Sequence, residues 1–170
     1  MCAECGPGDT LEGKGSYILL ISLPAAREIT IGSLGTIHFE PGGYAYVGSA
    51  RGGLKGRVGY HLKKNKKPRW HIDYLLEFAV IENVLTIETD ERLECAIASM
   101  LNNYFETISR FGSSDCKCRG HLFFAPDIKE LRLRAAESLN LLASRQNLQV
   151  DFQNNGGLSL PGRDIPVFNE

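Results

Sequence analysis

The stretch YAYVGSARGGLKGRVGYHL, residues 44–62, changes character halfway along. Tyr44-Ala45-Tyr46 alternates aromatic and small residues, and the pattern predicts a strand over residues 44–48. Leu54, Val58 and Leu62 then recur at four-residue intervals, which predicts a helix over residues 53–65 with Lys55, Lys63 and Lys64 turned away from its apolar stripe. Gly53, Gly56 and Gly59 lie in the same segment, and a glycine in a helix interior costs about 1 kcal/mol relative to alanine. Such a helix is expected to be held by close approach to a sheet.

Working outward, residues 16–23 (SYILLISL) form a nearly unbroken apolar run of strand length that Pro24 ends, as a buried central strand would. Residues 27–32 and 36–39 read as a hairpin about Ser33-Leu34-Gly35, and Pro41-Gly42-Gly43 separates it from the next strand. Downstream, a short helix is expected over residues 71–79 and a strand over 80–87. A further helix is capped by Thr89 or Asp90 and runs to about Phe105, with Leu93, Ala96, Ile97, Met100, Leu101 and Tyr104 on its stripe. A short strand over residues 121–125 and a long amphipathic helix from Asp127 to about Gln146 complete the pattern. The result is an α+β fold, a small central mixed β-sheet flanked by helices, in one domain over residues 15–146. Residues 1–14 are expected to be a flexible N-terminus and residues 147–170 a mobile tail.

With 43% apolar and 23% charged residues, the 170-residue chain is neither disordered nor fibrous, and its length suits one core. No apolar run reaches the roughly 18 residues of a membrane span. Five cysteines without a disulfide-scaffold spacing fit a reducing, cytoplasmic compartment. The net charge is only −1, yet residues 41–72 contain no acid and carry +8, leaving −9 on the rest. Such segregation predicts a face that meets phosphates, through Arg51, Lys55, Lys63, Lys64, Lys66, Lys67 and Arg69 beside Arg57.

Gly15-Ser16-Tyr17 on a first strand, Tyr46-Val47-Gly48 on a later one, Leu54, Arg57 and His61 on the following helix and Glu94 on another resemble the GIY-YIG nuclease superfamily in order and spacing. Within it the chain is similar to the Uri-type branch, long carried as a domain of unknown function. That likeness rests on residues 44–50, Trp70-His71-Ile72-Asp73-Tyr74-Leu75-Leu76, Leu93-Glu94-Cys95 and residues 111–118 followed by His121-Leu122-Phe123. It implies a GIY-YIG nuclease-like fold and a metal-dependent endonuclease with DNA preferred over RNA as the target, although a basic patch reads only phosphates and leaves that choice open. Glu94 would be the carboxylate ligand of a hydrated Mg²⁺ or Mn²⁺, and Arg57 the cation on the scissile phosphate. His61 would address the same phosphate and shuttle a proton. Tyr46 or Tyr17 would be the base or water-positioning phenol; an unperturbed phenol titrates at about 10, so a basic role demands a value depressed by the metal and Arg57. Two departures from the pattern stand out. Tyr17 and Tyr46 are 29 positions apart, which implies an inserted β-segment, and Ser49 stands where several relatives carry lysine.

Cys116-Lys117-Cys118 with His121 could supply three zinc ligands, with His71 or Asp115 as a fourth, but Cys-x-Cys is tighter than common zinc knuckles. A structural corner, with Asp115 and His121 bonding the backbone, is the favoured reading. Trp70 is expected to pack under the basic loop, and Cys2 and Cys5 to have no role. Beside the endonuclease stand a non-catalytic nucleic-acid-binding module and a zinc-stabilised domain that binds a protein.

Overall fold

In the computed structural model, which describes residues 13–154, the strands are β1 (Gly15–Leu23), β2 (Arg27–Thr30), β3 (Thr36–Phe39), β4 (Gly42–Ala50), β5 (Val80–Glu88), β6 (Glu106–Thr107), β7 (Leu122–Ala125) and β8 (Val150–Asn154). The helices are α1 (Leu54–Leu62), α2 (His71–Leu76), α3 (Glu94–Leu101) and α4 (Ile128–Gln146). Six strands make one sheet in the order β6-β7-β4-β1-β5-β8, while β2 and β3 form a separate hairpin. That hairpin is the expected insertion, tied to the core through buried Ile29, Ile31 and Phe39.

β1 is buried along almost its whole length because both faces of the sheet are covered. Tyr17, Leu19 and Ile21 face a core shared with α1, α2 and the hairpin, and Ile18 and Leu20 face one shared with α3 and α4. The fold is α+β as expected, but every pairing among the described strands is antiparallel, so the sheet is not mixed. β4 and β5 run parallel to each other, but they flank β1 on opposite sides and never pair.

Several boundaries differ from the sequence reading, among them α1, which ends at Leu62 rather than residue 65, and α2, which ends at Leu76 rather than residue 79. α3 starts at Glu94 rather than after Thr89, whose hydroxyl accepts from the Glu91 N–H in a local turn, and ends at Leu101, leaving Tyr104 exposed. The ordered body continues past Gln146: Asn147 closes α4 in the left-handed conformation and β8 pairs with β5. In α1 the buried stripe is Leu54, Val58 and His61, with Leu62 turned outward. The flexible segment expected at the N-terminus, with Cys2 and Cys5, lies outside the described residues, as do residues 155–170. No described helix is long and apolar enough to cross a membrane.

Candidate active site

β1 and β4 pair with Tyr17 opposite Gly48 and Leu19 opposite Tyr46, so both tyrosines stand on one face of the sheet, ring centroids 6.3 Å apart. Gly48 makes this possible. A Cβ there would stand 2.4 Å from the Tyr17 ring, so only glycine lets the ring lie across the neighbouring strand. Gly112 does the same for Tyr46: its φ is +71°, and a Cβ would fall 2.9 Å from the Tyr46 ring.

Beneath these rings lies a buried polar chain. The His61 Nδ1 is 2.9 Å from Asp73 Oδ1, and its Nε2 is 2.8 Å from the Tyr17 hydroxyl. Asp73 Oδ2 accepts the backbone N–H groups of Arg69 and Trp70, each at 3.0 Å, and Lys66 Nζ stands 3.6 Å from Oδ1. Burial pushes the Asp73 carboxyl up, but the bonds from His61, Arg69 and Trp70 outweigh it and hold the group below its ordinary value. Asp73 is therefore an acceptor. It fixes the His61 proton on Nδ1, leaving Nε2 to accept from the Tyr17 O–H. Burial also keeps His61 below the usual imidazole range, despite Asp73.

Arg57 is pinned from two sides. Its guanidinium lies 4.1 Å over the Trp70 ring and donates from Nη1 to the Ser49 carbonyl at 3.1 Å. Trp70 thus packs beneath the basic segment as expected, and Ser49 contributes its carbonyl to Arg57.

Tyr46, Ser49, Arg57 and Glu94 line one open cavity of about 420 Å³, together with Arg51, Arg69, Arg92, Asp115 and His121. Three strands and helices meet there: β4 brings Tyr46, α1 brings Arg57, and α3, packed on the opposite face of the sheet, brings Glu94 in its first turn. His61 and Tyr17 are not on that surface, being 2% and 0% exposed. His61 therefore faces inward to Asp73 rather than onto the surface where the sequence reading set it beside a phosphate. Arg57 by itself does not bring either phenol down. Burial raises Tyr46 and Tyr17 above the ordinary phenol value, with Arg57 only partly opposing it.

The basic segment divides. Arg51, Arg57 and Arg69 line the active cavity, whereas Lys63, Lys64 and Lys66 line a separate depression with Glu77. Lys66 is drawn inward, donating to the His61 carbonyl. Lys55 and Lys67 are exposed. Three contributors escaped the sequence reading as site residues: Arg92, a lone cation among acids two positions before Glu94; Asp73, quoted only as part of the family-like segment; and Cys95. The Sγ atoms of Cys95, Cys116 and Cys118 and a ring nitrogen of His121 lie within 4.8 Å of one another, a set that could hold a metal. The fourth member is thus Cys95, not His71 or Asp115. His71 Nδ1 instead accepts the Gly112 N–H at 3.0 Å. Burial and the neighbouring sulphurs push the Cys95 thiol up to about 12.

Residues 16–144 match the family described as a domain of unknown function, DUF123. The chain belongs to the DUF123 family. This is the Uri-type group to which the resemblance pointed, and the match covers β1 through α4, every element that builds the cavity. Comparisons with curated proteins and with solved structures gave no match.

Proposed function

We propose that this DUF123 protein is a metal-dependent endonuclease that hydrolyses a phosphodiester bond of DNA in the cavity between β4, α1 and α3. The observation that carries the reading is the convergence of Tyr46, Arg57 and Glu94, from separate elements, on one cavity that also holds Arg51, Arg69 and Arg92.

Phosphodiester hydrolysis needs an activated water, a counter-charge for the oxygens that gain negative charge and help for the leaving oxygen. Arg57 supplies the counter-charge. Held by Trp70 and the Ser49 carbonyl, it pays little ordering cost when a phosphate arrives, and its planar fork suits two phosphate oxygens. Arg51, Arg69 and Arg92 surround the same space and orient the strand on either side; they also make good the lysine absent at Ser49.

A hard cation such as Mg²⁺ or Mn²⁺ binds through one or two carboxylates and keeps most of its waters. Glu94 and Asp115 are the carboxylates lining the cavity, so the donor set fits, with Glu94 as principal ligand. When bound, such an ion makes a coordinated water more acidic and polarises the phosphoryl oxygen. Tyr46, kept protonated by burial, positions the water with its hydroxyl rather than abstracting a proton at rest. Tyr17, His61 and Asp73 hold the floor beneath it as positioning residues.

A second reading is a nucleic-acid-binding module without turnover, in which Tyr17 and His61 serve only the buried chain with Asp73. A nicking assay on plasmid, flapped and abasic DNA with Mg²⁺ or Mn²⁺ separates the two. Cleavage lost in Glu94→Gln, Arg57→Ala and Tyr46→Phe supports the nuclease. Binding without cleavage on every substrate by the wild type supports the module.

A further inference from the structure

Cys95 comes from the first turn of α3, Cys116 and Cys118 from the tip of the 111–121 loop, and His121 from the residue before β7. These segments are 20 or more residues apart or joined by a turn, yet their ligand atoms fall within 4.8 Å. The three cysteines are free. Tetrahedral zinc, with Zn–S of about 2.3 Å and Zn–N of about 2.0 Å, sets two sulphurs about 3.8 Å apart and a sulphur and a nitrogen about 3.5 Å apart. Cys116 Sγ and His121 Nε2 stand 3.5 Å apart.

We propose that Cys95, Cys116, Cys118 and His121 bind one structural zinc ion that ties the 111–121 loop to the start of α3. Three thiolates and a neutral imidazole select zinc over a hard cation. Four protein ligands close the coordination shell and leave no position for a reacting water, the mark of a structural site rather than a catalytic one.

The loop shows what the ion is for. Its base is stitched by backbone bonds, Arg110 N–H to the Arg119 carbonyl, His121 N–H to the Phe111 carbonyl and Val47 N–H to the His121 carbonyl. Beyond that base, the Cys116 N–H reaches only as far as the Ser113 carbonyl, within the loop itself. The zinc joins this tip to α3. Glu94, beside Cys95, and Asp115, beside Cys116, both line the active cavity, so one ion would fix the separation of the two carboxylates. The ligand assignment stands by itself; only this positioning role rests on the hydrolytic reading.

The test is elemental analysis of the full chain purified without chelator, run beside cobalt substitution. One zinc per chain is expected, falling to background in Cys95→Ser and in Cys118→Ser and retained in the double variant Cys2→Ser/Cys5→Ser. Because serine variants risk misfolding, cobalt is also loaded into that double variant, where an intense thiolate-to-cobalt charge-transfer band and a tetrahedral visible spectrum are expected. Metal-free protein, metal that disappears with Cys2 and Cys5, or a disulfide between two of the three clustered cysteines would overturn the proposal. Zinc present in a protein that cleaves no DNA would leave it standing and count against the nuclease alone.

Discussion

The Tyr17 hydroxyl donates to His61 Nε2 across 2.8 Å, and this bond assigns both residues to the interior. A tyrosine and a histidine that the superfamily pattern would place at the phosphate instead form, with Asp73, a buried chain under the cavity floor. Asp73 is the keystone, because it serves His61 and two backbone N–H groups at once. Replacing it with alanine strands those buried donors, and the expected cost is about 3 kcal/mol in urea denaturation. Tyr17→Phe removes one donor only and is expected to cost about 1 kcal/mol. Equal losses in the two variants would contradict the order of the chain.

Stability should fall on mild acidification. Burial holds His61 and His71 below the ordinary imidazole value. Their folded pKa values lie under the unfolded value of about 6.5, so below that pH the unfolded chain binds protons that the folded protein refuses. Their contribution is complete above about pH 6.5 and is lost as the pH drops from there toward the folded values, at up to about 1.4 kcal/mol per pH unit for His61 and less for the more exposed, solvent-screened His71. Urea midpoints measured across that window should decline toward acid, and His61→Gln should flatten the dependence. A midpoint independent of pH would mean that neither imidazole is held neutral.

Gly48→Ala should disturb the site through Tyr17. The added methyl would lie 2.4 Å from the ring, so the ring must move and its bond to His61 must lengthen. Overpacking of this kind costs about 1–3 kcal/mol. Gly52 and Gly56, where a Cβ would meet open space, serve as controls and should accept alanine without such a loss.

The Trp70 ring under Arg57 makes a prediction about rate. Trp70→Leu removes a cation–π contact of about 0.5–2 kcal/mol and frees the guanidinium to sample other positions. The turnover rate is expected to drop more than DNA affinity. Arg57→Lys keeps the charge but cannot both stack and reach the Ser49 carbonyl, so it should recover only a small part of the roughly 10²- to 10³-fold lost in Arg57→Ala. A lysine variant at wild-type rate would show that only charge matters.

The division of the basic segment should appear in salt titrations. If about four cations neutralise phosphates, log K falls against log salt with a slope near −3 to −4. Arg92→Ala, in the cavity, should reduce that slope by about 1, whereas Lys63→Ala and Lys64→Ala, in the depression beside Glu77, should leave it unchanged. The reverse pattern would move the interface to the lysine face.

Much of the fold was legible from local pattern. The unbroken apolar run of β1, the capping Asp127 of α4, whose side chain accepts the Lys129 N–H, and the hairpin about residues 33–35 are properties of neighbours along the chain. Glu94 was legible too, since it shares a helical sector with Ile97, Ala98 and Leu101, all of which are buried. The extent of α3 was less so, because Thr89 satisfies a donor in a turn ahead of the helix instead of capping it.

α1 marks where local pattern stops. Relative to Leu54, a residue seven positions on lies within about 20° of the same face and one eight positions on lies about 80° away, so hydrophobicity argued for Leu62 and angle for His61. Angle prevailed because a buried imidazole is tolerable once both nitrogens are satisfied, and its partners lie 44 and 12 residues away in Tyr17 and Asp73. By itself the sequence determined most of the elements, though not the edge strands β6 and β8, together with the family and the acid, arginine and tyrosine of the cavity, since these depend on short-range periodicity and motif order. The tertiary structure alone decided that Tyr17 and His61 are interior, that Arg92 faces the cavity and that Cys95 completes the sulphur cluster. Which distant side chains share a polar contact is set by how the sheet stacks against its helices, and no neighbour along the chain encodes that.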